Sequence, residues 1–301
     1  MAILTLLSGG AAAYNGAYVA SRAAIGEKTK EVKAGFVMAE EKSFRDRQVR
    51  SSEIRIRKIG VKDLWQALKE GFDDFNAKPS VIAFLIVIYP LFALLCTLLL
   101  VGDNLLHLAF PMVAGFTFLG PVVSVGLFEM SRRRERGLDL TWRSAFDFVH
   151  SSSFAPILAL SVTMMLLYVA WLYAAETLYF GLFGAVSPDS ISDFVTQVLT
   201  TRRGGALIFY GTVLGFFFAV AALAISVVSF PLALDRPVTA ITAAHASIKA
   251  VSSNTLMMAL WGLIVVVLLA AGAILFLIGL AVVLPVLGHA TWHLYRKLVE
   301  P

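Results

Sequence analysis

Apolar and polar residues along this chain come in alternating blocks rather than interleaved. Residues 80–102, 105–128, 154–175, 206–234 and 255–295 contain no Asp, Glu, Lys or Arg. A helix of roughly 20 apolar residues crosses a hydrocarbon core of about 30 Å, so each of the first four runs is long enough for one crossing. As a single helix the last run would extend about 61 Å, twice the membrane thickness. It fits only as two crossings joined by a tight turn near Gly272 or Gly279, where glycine can adopt the backbone angles a turn needs. The pattern therefore predicts an all-α polytopic membrane protein with six transmembrane helices arranged as three hairpins.

The polar blocks have a period of their own. Residues 62–78 place Leu64, Leu68, Phe72 and Phe75 at helical spacing with charges opposite, predicting an amphipathic helix ahead of Pro79 and the first apolar run. Residues 139–155 offer Trp142, Phe146 and Val149 ahead of Pro156, and residues 237–254 offer Ile241, Ala244, Ile248 and Val251 ahead of the fifth crossing. On the returning helices Pro121, Pro231 and Pro285 each sit in the second half of an apolar run. Glu129 and Arg132 follow Pro121 at the same offsets as His293 and Arg296 follow Pro285. Three units are the economical reading, each a surface helix followed by a hairpin; amphipathic connectors and prolines near helix ends, common in any membrane protein, are the competing one. Residues 187–201 predict a short outer-surface helix with Ser187 as N-cap, Pro188 at its first position and an apolar face from Ile191 to Leu199.

Composition agrees: 58% of the residues are hydrophobic and mean hydropathy is +0.80, more apolar surface than a soluble chain of this length can bury. Charge adds orientation. In a six-helix topology, 23 of the 25 Lys and Arg residues fall on one side, leaving only Arg202 and Arg203 opposite. The positive-inside rule then puts both termini in the cytoplasm. A five-helix topology would send Arg296 and Lys297 outside, against that bias. The single cysteine, Cys96, lies in the first apolar run, so no disulfide or CxxC chemistry is available within one chain. Residues 1–53 read as a disordered extension to a membrane domain over 54–301. The Ala- and Gly-rich stretch 1–37 lacks the basic start of a secretory signal, and Met38 opens a stretch (MAEEKSF) that reads like a natural beginning.

Candidate chemistry is sparse. The sequence has no GxxxxGK[ST], HExxH or GxSxG. His289 and His293 share a helix face and are two of the ligands a metal or haem needs, but they also fit an aromatic and basic membrane anchor with Trp292, Tyr295 and Arg296. Glu129 pairs most simply with Arg132, one turn on; the sharper reading joins Glu129, Arg132, His289, His293 and Arg296 in one polar layer at the inner leaflet. Glu176 is a second membrane carboxylate, either at the outer headgroup level or in an ion pathway. Asp235 reads as a helix cap beside Arg236 and Pro237. The charged segment 55–78 mixes both signs, which argues against nucleic acid and for anionic headgroups or another protein.

The blocks IRKIGVKDLWQALKEGFDDFNAKP (56–79), LGPVVSVGLFEMSRRRERG (119–137), SFPLALDRPVTAITAAHAS (229–247) and LPVLGHATWHLYRKLV (284–299) resemble the bacterial membrane family called domain of unknown function 2189. The resemblance runs from about residue 54 to the end. It implies a bacterial inner-membrane location, several transmembrane helices and no assigned activity; similar proteins sometimes carry a label linking them to a cytochrome c oxidase subunit. An oxidase core needs histidines deep in several membrane helices, a pattern His107, His150 and His245 do not supply. The expectation is a non-enzymatic accessory or scaffold in the lipid bilayer, without cofactor or metal and with another membrane protein as partner. A small-solute transporter or channel is the alternative, and a haem- or oxidase-associated protein the third.

Overall fold

A computed structural model describes residues 54–77, 106–141, 143–184, 190–274 and 276–300. They lie in the unit Glu53–Pro301 and are helical throughout, joined by turns and one isolated bridge between Ile56 and Val299. The expectations for residues 1–53, the apolar run 80–102 with Cys96, and Trp142, Ser187 and Pro188 fall outside the described residues.

Four described helical stretches are long and apolar enough to cross a membrane: Ala109–Glu135, Phe154–Phe183, Arg202–Asp235 and Thr255–Ile274. The first is segmented into α2 (Ala109–Gly115), α3 (Gly120–Val123) and α4 (Val125–Glu135), with a 3-10 turn at Phe116–Leu119. Pro121 enters at the start of α3, where its missing N–H costs nothing. Phe154–Phe183 is one unbroken helix, α5. Arg202–Asp235 breaks into α7 (Arg202–Ser226) and α8 (Ser229–Asp235). Pro231 lacks the N–H that would continue the ladder to the Val227 carbonyl, and the break lies at Val227–Val228. The freed Val228 N–H donates to Ser247 Oγ at 3.1 Å. Thr255–Ile274 is α10, and α11 (Phe276–Leu298) contains Pro285.

The ends of these helices define two poles. At one, Ser153 at the start of α5 and Arg132 at the end of α4 both donate to the Leu234 carbonyl. At the other, His107 stacks on Tyr179 near the end of α5, with ring centroids 4.5 Å apart. The start of α10 and the end of α11 both meet residues 57–59: Asn254 Oδ1 accepts from the Ile59 N–H at 3.0 Å, and the Arg57 N–H donates to the Leu298 carbonyl at 2.8 Å. Near the opposite ends of that pair, Gly272 lies against Gly279, Leu280 and Val283.

The well-packed core sits at the first pole rather than midway along the spans. Phe128, Phe230, Leu234, Trp261, Trp292 and Tyr295 are among its fully buried side chains, whereas only 17% to 33% of the residues in the four spans are buried. That division suits helices whose flanks face lipid.

The surface helices correct the sequence reading in three places. Helix α1 (Val61–Ala77) forms as expected, but its buried face is Leu64, Ala67, Gly71, Asp74 and Phe75, and Phe72 is exposed. Helix α9 (Ala240–Ser253) buries Ala243, Ala246, Ser247 and Ala250 and turns Ile241 and Ile248 outward. The middle connector is not an amphipathic α-helix. It is a seven-residue 3-10 turn, Ser144–His150, with Phe146 and Val149 exposed. Thr141 and Ser144 exchange side-chain and backbone hydrogen bonds before it, and Ser151 bonds the Phe148 carbonyl after it, so hydroxyls replace the helical ladder. Near the second pole, α6 (Ile191–Thr200) is capped by Ser190, whose Oγ accepts from the Asp193 N–H at 3.1 Å. Asp235 caps neither neighbour; Thr239 opens α9 by accepting from the Thr242 N–H.

Candidate functional site: a buried carboxylate at the junction of three helices

Helix α1 runs against α11 so closely that a Cβ on Gly71 would collide with the Ala290 backbone. That contact, one turn before Asp74, carries the Asp74 carboxylate into the junction with α4 and α11, where it is 7% exposed. Three donors meet it. Ser131 Oγ donates to Oδ2 at 2.5 Å, His293 Nε2 lies 2.8 Å from the same oxygen, and Arg134 pairs with Oδ1. Because the serine hydrogen is committed to the carboxylate, the 2.8 Å contact between Ser131 Oγ and His289 Nδ1 requires the histidine to donate. His289 is thereby fixed as its Nδ1–H tautomer, and its Nε2 is buried without a partner. Burial pushes the Asp74 carboxyl upward. The His293 hydrogen bond, Ser131, the charge on His293 and Arg134 outweigh it and hold the pKa at about 2 against an ordinary 3.8.

A second layer of charges rims this hub. Glu70 approaches His293 Nδ1 at 3.5 Å and Lys297 at 3.0 Å, and Glu135 pairs with Arg296 at 3.2 Å. With Asp73, these groups line an open cleft of about 490 Å³, its acids and bases facing each other in near balance. Asp235 extends the network: one oxygen accepts from Tyr295 at 2.8 Å and Arg296 at 3.3 Å, and the other pairs with Arg136 at 3.3 Å. Glu129 stands alongside, buried, bridged to Arg132 at 2.6 Å and Arg133 at 3.0 Å, and Arg133 goes on to Asp147.

The structure thus brings Glu129, Arg132, His289, His293 and Arg296 to one end of the helices, although no direct pair joins Glu129 to Arg296. Arg132 reaches the Leu234 carbonyl, and Arg296 the adjacent Asp235. Glu176 is elsewhere, half-buried about 33 Å along α5 from its first residue. Sequence reading missed Asp74 itself, having placed it on the charged face of α1. The available signal was the small pair Ala67 and Gly71 at i and i+4, which marks a face built for close helix contact. Among the described residues, no group of three or more His, Cys, Asp or Glu is arranged to hold a metal ion. What the arrangement can do chemically is bind protons and hold three helices by charge-assisted hydrogen bonds.

No curated protein and no solved structure matches the chain. Residues 109–235 match the family described as "Predicted integral membrane protein (DUF2189)", whose description names a membrane location and no activity. The matched stretch covers three of the apolar spans' segments, from α2 through α8, and two of the four blocks that carry the resemblance lie wholly or partly within it. Over residues 109–235, the chain is similar to the DUF2189 family of predicted integral membrane proteins.

Proposed function

We propose that this is a non-enzymatic integral protein of a bacterial inner membrane, acting as a scaffold or accessory subunit for another membrane protein. In this reading it crosses six times as three hairpins, with both termini cytoplasmic. Two observations support the added crossings. Asp74 belongs to one pole and His107 to the other, and the charge-free run 80–102 connects them. Helices α10 and α11 both return to residues 57–59, as a hairpin must. The first pole then coincides with the basic side and faces the cytoplasm.

The observation that carries the scaffold reading is the dense pairing of Asp74 with two neighbouring helices. Asp74 is engaged through both oxygens by groups from α4 and α11, and the cleft charges pair across it. These groups spend most of their bonding capacity on neighbouring helices, which is what a structural junction requires. Reconstitution and crosslinking test this. Purified protein in proteoliposomes is expected to carry no gradient-driven flux of protons, metal ions or small solutes. Photocrosslinkers at Leu138 and Asp139, exposed in the segment after α4, are expected in intact membranes to trap a membrane protein at fixed stoichiometry. A flux that disappears in Asp74→Asn would overturn the proposal in favour of transport.

A further inference from the structure

The exposed faces of the cytoplasmic connectors are the wrong way round for a water-soluble surface. On α1, Trp65 is 72% exposed and Phe72 and Val61 share its stripe, while the packed face is built on Ala67 and Gly71. On α9, Ile241 is 71% exposed with Ile248 one heptad on, while Ala243, Ala246 and Ala250 are packed. On the middle connector Phe146 is 63% exposed. Large residues outward and small residues inward is the arrangement of a helix whose surroundings are lipid, because small residues permit close helix contact and lipid tails solvate the large ones.

Each stripe also sits at the right depth and carries the right charge. The turn Ser144–His150 ends four residues before Phe154 opens α5, and α9 ends two residues before Thr255 opens α10. Helix α1 ends three residues before the apolar run at 80. Connectors tied so closely to the starts of crossings lie at headgroup level. Their exposed flanks carry more bases than acids: Lys62 and Lys69 beside Trp65 on α1, with Asp73 as the exposed acid there, Lys249 beside Ile248, and on the middle connector Arg143 before Phe146 and Asp147 after it, the latter paired with Arg133. The acids Glu70 and Asp74 turn instead toward the cleft.

We propose that these three connectors form a lipid-docking collar that inserts its large apolar side chains at the boundary of the cytoplasmic leaflet and holds anionic headgroups through Lys62, Lys69 and Lys249. Basic residues at the rim of an amphipathic surface segment recognise phosphate-bearing anionic lipids in this way. The inference rests on the topology proposed above, and not on the protein's being a scaffold.

The test uses the full chain with Cys96→Ser and single cysteines at Trp65, Phe146 or Ile241, spin-labelled in nanodiscs. One set contains phosphatidylcholine alone, the other phosphatidylcholine with phosphatidylglycerol. Collision with oxygen is expected to exceed collision with a water-soluble nickel complex several-fold at all three sites. The excess is expected to be larger with phosphatidylglycerol, and that increase is expected to be lost in Lys62→Gln/Lys69→Gln/Lys249→Gln. Equal access to the nickel complex at the three sites would overturn docking. Shielding from both reagents would overturn it in favour of a protein partner, and lipid exposure indifferent to phosphatidylglycerol would overturn the anionic selectivity. As a second measurement, quenching of the unmodified chain by brominated phosphatidylglycerol is expected to fall in Trp65→Phe, and an undiminished signal counts against the collar. A membrane-impermeant reductant added to sealed vesicles reads the side on which the labels lie, so a wrong topology is distinguishable from a collar that does not touch lipid.

Discussion

Asp74 shows how a single side chain can join three helices. Its folded pKa of about 2 lies below the ordinary 3.8, so the unfolded chain binds this proton more tightly than the folded one. The contribution, about 2 kcal/mol, is fully present above about pH 4 and is lost as pH falls through about 2. A melting series in detergent is expected to show that acid loss in the parent and a shallower one in Asp74→Asn. At neutral pH Asp74→Asn removes the carboxylate that accepts from Ser131 and His293 and pairs with Arg134, and is expected to lower the melting temperature read on size-exclusion after heating. Glu129→Gln, which strips the partner of Arg132 and Arg133, is expected to lower the melting temperature while membrane insertion, assayed by carbonate extraction, stays intact.

Among the elements, the periods of the sequence located α1 and α9, failed at the middle connector, which is a 3-10 turn, and misjudged the buried faces. Helix α1 was legible from its spacing, yet the expected apolar face included Phe72, which is exposed, and omitted Gly71, which is in contact. For α9 the expected face of Ile241 and Ile248 is the exposed one. The rule that large apolar residues turn inward belongs to proteins in water, and near a membrane close packing selects small residues instead. The polar layer was half legible: Glu129 and Arg132 pair locally, as one turn of helix dictates, whereas Asp74 depends on α11, which no local pattern reveals. Two substitutions test this account. Gly71→Ala places a methyl against the Ala290 backbone and is expected to lower the melting temperature markedly, while Gly120→Ala, with open space around it, is expected to change it little. Ser247→Ala leaves the buried Val228 N–H without its acceptor and is expected to cost roughly 1–3 kcal/mol, measured in the same melts.

For the whole molecule, hydropathy foretold an all-helical membrane protein because the runs between charged blocks match bilayer thickness. It could not show that the well-packed core would gather at one pole, since that depends on how connectors fold back over helix ends. Sidedness is open to a direct check. Cysteines introduced at Lys249 and Lys58 are expected to react with an impermeant maleimide only from the cytoplasmic side, and a cysteine at Arg203 only from the other. Labelling of Lys58 and Arg203 from the same side would remove the six-crossing arrangement.

The contact between α1 and α11 has a consequence for the order of events during synthesis. Asp74 and His293 are 219 residues apart, and the strand-like tie of residues 55–57 to 298–300 spans the whole membrane unit. Helix α1 therefore leaves the ribosome long before its partner exists and waits with Ala67, Gly71 and Asp74 uncovered. Closure comes last, when the final helix arrives to complete the junction. A nascent chain stalled ahead of residue 276 is expected to keep α1 open to protease, and release of the full chain to protect it.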